Sequence, residues 1–119
     1  MIIANAQLAK LSERMDEQFI DDLTQMLREQ PGAGRAVPSA ELRADVKRLV
    51  TRAQHYGMGT ERDAASFVVT AFLLGEDFDH NFKAAGPVLT STRLSGAEKA
   101  AWLEEWTTLM FSTLEEGRQ

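Results

Sequence analysis

The residues best equipped for chemistry stand together in the run Glu76-Asp77-Phe78-Asp79-His80-Asn81. Asp77, Asp79 and Asn81 occupy the first, third and fifth positions of a calcium-binding loop, where side-chain oxygens ligate the ion. The template then breaks. Its sixth position requires glycine for a sharp turn and holds Phe82, and its twelfth requires a bidentate glutamate and holds Val88. The run is therefore expected to be structural, with Asp77 or Asp79 capping a short helix and the other polar groups solvated. The two histidines, His55 and His80, lie in different segments with no His-x3-His or Glu-x-x-His spacing. A shared metal site would need further ligands from elsewhere, and a histidine at a helix end, as at His55, is favoured by the helix dipole alone.

Nucleophilic and phosphate-binding signals fare no better. The chain has no Gly-x-Ser-x-Gly and no serine close to a histidine. Gly32-Ala-Gly34 runs into Arg35 and Pro38 instead of Lys-Ser/Thr, and Gly57-Met-Gly59 leads to Glu61 and Asp63, whose charge repels phosphate. The absence of cysteine excludes disulfides, thiolate metal sites and a cysteine nucleophile. These residues assign no catalytic group, no cofactor and no metal ligand, so a non-enzymatic role is expected.

The elements that carry these residues read as helices throughout. Leu8, Leu11, Met15, Phe19, Leu23 and Leu27 recur every three or four residues and predict an amphipathic helix over residues 5–30, with Asn5 as N-cap and Pro31-Gly32 as terminator. The Gly/Pro-rich stretch 31–38 reads as a loop. Leu42, Val46, Leu49, Ala53 and Tyr56 predict a second helix, capped by Ser39 and running through Tyr56, with Gly57 placed as its C-cap glycine. Thr60-Glu-Arg-Asp63 opens a third helix. Its apolar run over residues 67–74 lacks a polar face and predicts a central position. Residues 76–94 read as irregular, with a helical turn or two. Ser95-Gly-Ala-Glu98 is a second capping box, opening a last helix whose broad apolar face is Trp102, Leu103, Trp106, Leu109, Met110 and Leu114. Four main helices and no strand pattern predict one all-α domain over residues 1–119, orthogonal or bundle-like, with a central apolar helix.

Composition narrows the function. At 119 residues, 44% hydrophobic and 26% charged, the chain is long enough for one core and too apolar for a disordered tail. No apolar run is long enough to span a bilayer, and the N-terminus lacks a secretory pattern, so a cytoplasmic protein with no membrane association is expected. The net charge of −5 opposes binding to nucleic acid. Residues 39–57 run against this trend, with Arg43, Lys47, Arg48 and Arg52 against Glu41 and Asp45. They either dock an acidic partner or DNA, or pair with acids inside the domain. The third helix has almost no Arg, Lys, Asn or Gln to read bases, which argues against DNA.

The ordered signals Ile2-Ile-Ala-Asn-Ala-Gln-Leu8, Phe19-Ile-Asp-Asp-Leu23, Ala53-Gln-His-Tyr-Gly57, Thr60-Glu-Arg-Asp63 and Phe72-Leu-Leu-Gly-Glu-Asp-Phe-Asp79, followed by Pro87-Val-Leu-Thr90 and Leu94-Ser95, span nearly the whole chain. In this the chain resembles small helical proteins encoded in bacterial type VI secretion gene clusters, beside spike or PAAR proteins and toxic effectors. Where members commonly carry a tryptophan after Phe-Asp, this chain reads His80-Asn81-Phe82. The resemblance implies an adaptor or co-chaperone that loads an effector onto the spike, with an effector, a spike/PAAR protein or another chaperone as partner. The alternatives are an immunity protein for a neighbouring toxin and a small DNA-binding regulator.

Large aromatics in and beside an irregular surface segment either complete the core's edge or anchor a partner. The expected partner-binding edge lies between residues 76–94 and the last helix. Phe78, Phe82, Trp106 and Phe111 are its anchors, and Asp77, Asp79, Glu104 and Glu115 form its acidic rim.

Overall fold

The computed structural model describes residues 17–29 and 39–117, without the side chains of residues 39, 111 and 113–117. Among these residues every regular element is helical: α1 Glu17–Arg28, α2 Ser39–His55, α3 Glu61–Leu74, α4 Phe78–Asn81, α5 Ala85–Thr90 and α6 Gly96–Gly117. The all-α expectation holds, and α1, α2, α3 and α6 are its four main helices. Residues 5–16 of the first predicted helix, with its Asn5 cap, and the loop 31–38 fall outside the described residues.

Local chemistry sets the helix ends. Thr60 caps α3 by accepting the Asp63 N–H at 3.1 Å. Ser95 and Glu98 form a reciprocal box on α6, Glu98 N–H to Ser95 Oγ at 3.1 Å and Ser95 N–H to Glu98 Oε1 at 2.9 Å. α2 ends where Gly57, at φ 81°, lets its N–H reach Gln54 O and the Met58 N–H reach Ala53 O, both at 3.0 Å. That pair is the Schellman arrangement, which needs a residue tolerant of positive φ at this position.

One apolar cluster draws on all six helices, with Phe19, Leu23 and Leu27 of α1, Leu42 and Val46 of α2, Phe67 and Val68 of α3, Phe78 of α4, Leu89 of α5 and Leu103 of α6. α3 is central: it touches α1, α2, α4 and α6. Its burial does not follow its hydrophobicity, however. Residues 63–71 are buried, whereas Phe72, Leu73 and Leu74 are only half-buried, because the last turn emerges from between its neighbours before Gly75 redirects the chain.

α3 and α6 run parallel. Ser66 donates to Glu104 at 3.3 Å and Thr70 meets Thr107 at 3.5 Å, so contacts climb both helices in the same direction. The short helices α4 and α5 form the crossover that makes this possible. The seam is built from small residues. Gly96 begins α6 so close to the end of α2 that a Cβ there would lie 2.6 Å from Gly57 O and 2.8 Å from Asp63 Oδ2.

The basic residues of α2 are engaged within the fold. Arg43 pairs with Glu17 and, at 2.6 Å, with Asp21 of α1; Lys47 reaches Glu17 at 3.2 Å. Arg48 pairs with Asp45 at 2.9 Å and with Glu76. Arg52 donates to Glu76 O at 2.7 Å and lies 3.6 Å from Asp77. Of the two uses foreseen for this helix, internal pairing is the one the fold adopts. The bonds from Arg43 and Lys47 hold the Glu17 carboxyl below the usual carboxylate range.

Candidate functional site

The arrangement of greatest functional interest is an aromatic face built by α4 and α6. A single turn at residues 78–81 places Phe78 inward and delivers Phe82 at the C-cap. On α6, Trp102 and Trp106 are one turn apart and therefore neighbours on the helix surface. Their rings stack at 5.1 Å with planes 23° apart, and Phe82 meets Trp106 edge-on at 5.4 Å and 80°. Both geometries suit the ring quadrupole. Behind them a chain of rings runs through the core: Phe78 to Trp106 at 6.3 Å, Phe67 to Phe78 at 5.2 Å and Tyr56 to Phe67 at 5.7 Å. Trp102, Trp106 and Phe82 remain half-buried. Leu109, on the same stripe of α6, is 59% exposed.

The exposed charges of α6 beside this face are acidic, while Lys83 stands exposed next to Phe82. Glu98 and Glu105 stand one turn from Trp102 on α6 and are exposed. Hydrogen bonds from the Ser95 backbone and hydroxyl hold the Glu98 carboxyl below the usual carboxylate range. The one basic residue of α6, Lys99, turns away and is nearly buried, with its ammonium on the Tyr56 carbonyl at 2.6 Å.

The residues expected at the partner-binding edge separate in the structure. Trp106 and Phe82 lie in the face, in mutual contact. Phe78 and Asp79 are corrected to the interior: Phe78 is fully buried, and the Asp79 carboxylate is closed off from solvent. Asp79 accepts from the Tyr56 hydroxyl at 2.7 Å and from Arg52 at 3.4 Å. Burial first, and then the Asp79 hydrogen bond, push the Tyr56 phenol up to about 12. Asp77 is exposed and 3.6 Å from Arg52, and no side-chain bond caps α4. The physical reason is shared: helical geometry carries Phe78 onto Phe67 and brings Asp79 next to Arg52 and Tyr56, so the carboxylate bonds across elements and not to its own helix end. Glu104 is half-buried with the Ser66 hydroxyl on its carboxylate, and the Phe111 and Glu115 side chains fall outside the described residues.

Of the broad apolar face expected on α6, Trp102 is only half-buried and Leu109 is exposed. The buried side of α6 is in fact centred on Ala100, Leu103 and Thr107. With these residues turned inward, the bulky indoles fall at the margin and Leu109 beyond it. Thr107 one turn after Leu103, opposite the Ser66/Thr70 pair of α3, is the signal that could have revealed this.

Among the described residues no three His, Asp or Glu side chains group as a metal site would require. None of the described helices is long and apolar enough to cross a membrane. No family model, no curated protein and no solved structure matches the chain.

Proposed function

We propose that the protein is a non-catalytic accessory factor that docks another protein on the aromatic face of α6. The observation that carries this reading is the stacked Trp102–Trp106 pair, extended by Phe82 and by the exposed Leu109. Aromatic rings held rigidly at a surface lose little entropy on binding and dominate interface hot spots. The flanking Glu98 and Glu105 favour a partner with basic residues around an apolar patch, because complementary charge speeds encounter and excludes like-charged competitors. We take the partner to belong to a type VI secretion system, with the chain acting as an adaptor or co-chaperone that loads an effector onto the spike. This rests on the resemblance of the sequence to small proteins of such gene clusters.

The test is a titration of the purified chain with the spike, PAAR and effector proteins encoded beside its gene. The parent should bind one of them, and Leu109→Asp and Trp102→Ala, shown to be folded by circular dichroism, should bind at least about tenfold more weakly. Equal binding by both variants would remove the face from the proposal. A gene neighbourhood lacking all three protein types would remove the secretion reading. Co-expression with the neighbouring toxin tests the competing role, since protection of the cells would assign the chain as an immunity protein.

A further inference from the structure

A pocket of about 530 Å³ lies between the end of α2 and the segment joining α5 to α6, away from the aromatic face. Such a volume suits a small molecule. Tyr56 and Gly57 at the end of α2, Leu89, Ser91 and Leu94, and Lys99 of α6 are among the residues that line it. Among the described lining residues there is no Asp or Glu, and among the described residues no carboxylate pairs with Lys99. Lys99 is only 5% exposed, and its single hydrogen bond goes to Tyr56 O. An ammonium carries three donors, so two stay available, and a buried cation without a counter-charge is costly until an anion reaches it. Gly57 lies beside the ammonium: a Cβ there would stand 3.7 Å from Lys99 Nζ. The Ser91 hydroxyl accepts the Arg93 N–H at 3.1 Å, which leaves its own O–H to donate into the pocket.

We propose that this pocket binds a small carboxylate with an apolar body, its carboxylate held by Lys99 Nζ and Ser91 Oγ and its body lying on Leu89 and Leu94. The lining offers one ammonium, the Ser91 and Thr92 hydroxyls and the His55 ring, and its leucines, Leu89 and Leu94, favour a carboxylate with an apolar body over phosphate, which gains nothing from leucine. This inference is independent of the docking face.

The test is amide NMR of the full chain titrated separately with hexanoate, acetate and inorganic phosphate. Hexanoate should produce saturable shifts centred on Gly57, Ser91 and Thr92, with roughly tenfold tighter binding than acetate because its methylenes leave water. Lys99→Met should abolish the response, and Lys83→Met, which alters an exposed lysine outside the pocket, should preserve it. Because Lys99 also holds the end of α2, Thr92→Asp provides a second variant: it places a carboxylate at the rim and should abolish binding in a folded chain. Absence of saturable shifts would overturn the site. So would tighter binding of phosphate than of hexanoate, shifts centred on the tryptophan indoles, or undiminished binding by Thr92→Asp.

Discussion

At the scale of single residues, Tyr56 is the most informative probe because it is the chain's one tyrosine. Its phenol is pushed up to about 12 by burial and by the Asp79 hydrogen bond. The absorbance of tyrosinate should therefore emerge with a midpoint near 12 in the folded protein, and nearer the ordinary value in Asp79→Asn. The stability consequence has a definite sign. A group whose folded pKa is raised stabilises the fold fully below its unfolded value of 10.0 and loses that contribution as pH rises toward about 12. Alkaline unfolding monitored by circular dichroism should begin in that window and be later in Tyr56→Phe. A second residue-scale prediction concerns Gly96. A Cβ there would press on backbone atoms of Gly57 and Met58 as well as on Asp63, so Gly96→Ala should cost about 1–3 kcal/mol and lower the thermal midpoint by several degrees.

At the scale of elements, helix ends and helix faces obey different rules. The Ser95–Glu98 box was legible because it depends on residues three apart, and Ser95→Ala should cost about 1 kcal/mol in thermal or denaturant unfolding. Faces depend on neighbours. The hydrophobicity of residues 67–74 suggested uniform burial, yet Phe67 is fully buried and Phe72 only half-buried. Phe67→Ala should therefore cost about 3–5 kcal/mol, while Phe72→Ala should cost clearly less. Equal losses from the two variants would contradict the placement of α3. On α6 the rule recurs: Trp106 and Leu109 share one apolar stripe in the sequence, yet Trp106 is half-buried and Leu109 exposed, because nothing local in the chain says where the parallel α3 will sit.

At the scale of the whole molecule, charge is sorted between elements. The basic residues of α2 pair with acids of α1, of α2 itself and of the segment leading into α4, while α6 faces outward with Glu98 and Glu105. The ion pairs along α1 and α2 are largely exposed, so added salt should change the thermal midpoint little. Association with a basic partner at the α6 face should behave differently. Its rate constant, measured by stopped-flow mixing, should fall as the screening length shrinks from about 10 Å at 0.1 M salt to about 3 Å at 1 M. An association rate insensitive to salt would remove electrostatics from the docking proposal.

By itself the sequence determined the all-α class, the four main helices and most of their ends. These follow from short-range physics: periodicity of apolar residues, capping side chains and glycines at positive φ act within a few residues. It also brought Phe82 and Trp106 to attention as large rings beside an irregular segment. Only the tertiary structure decided which side chains face water. Asp79 turned inward because Tyr56 and Arg52, more than twenty positions away in the chain, supply its donors. Lys99 left the surface of α6 because the end of α2 offers it a carbonyl, which sets an ammonium against a pocket that no local pattern announces. Trp102 stayed at the margin and Leu109 outward because Ala100, Leu103 and Thr107 are the residues α6 turns inward, and the orientation of a helix about its axis is set by what packs against it.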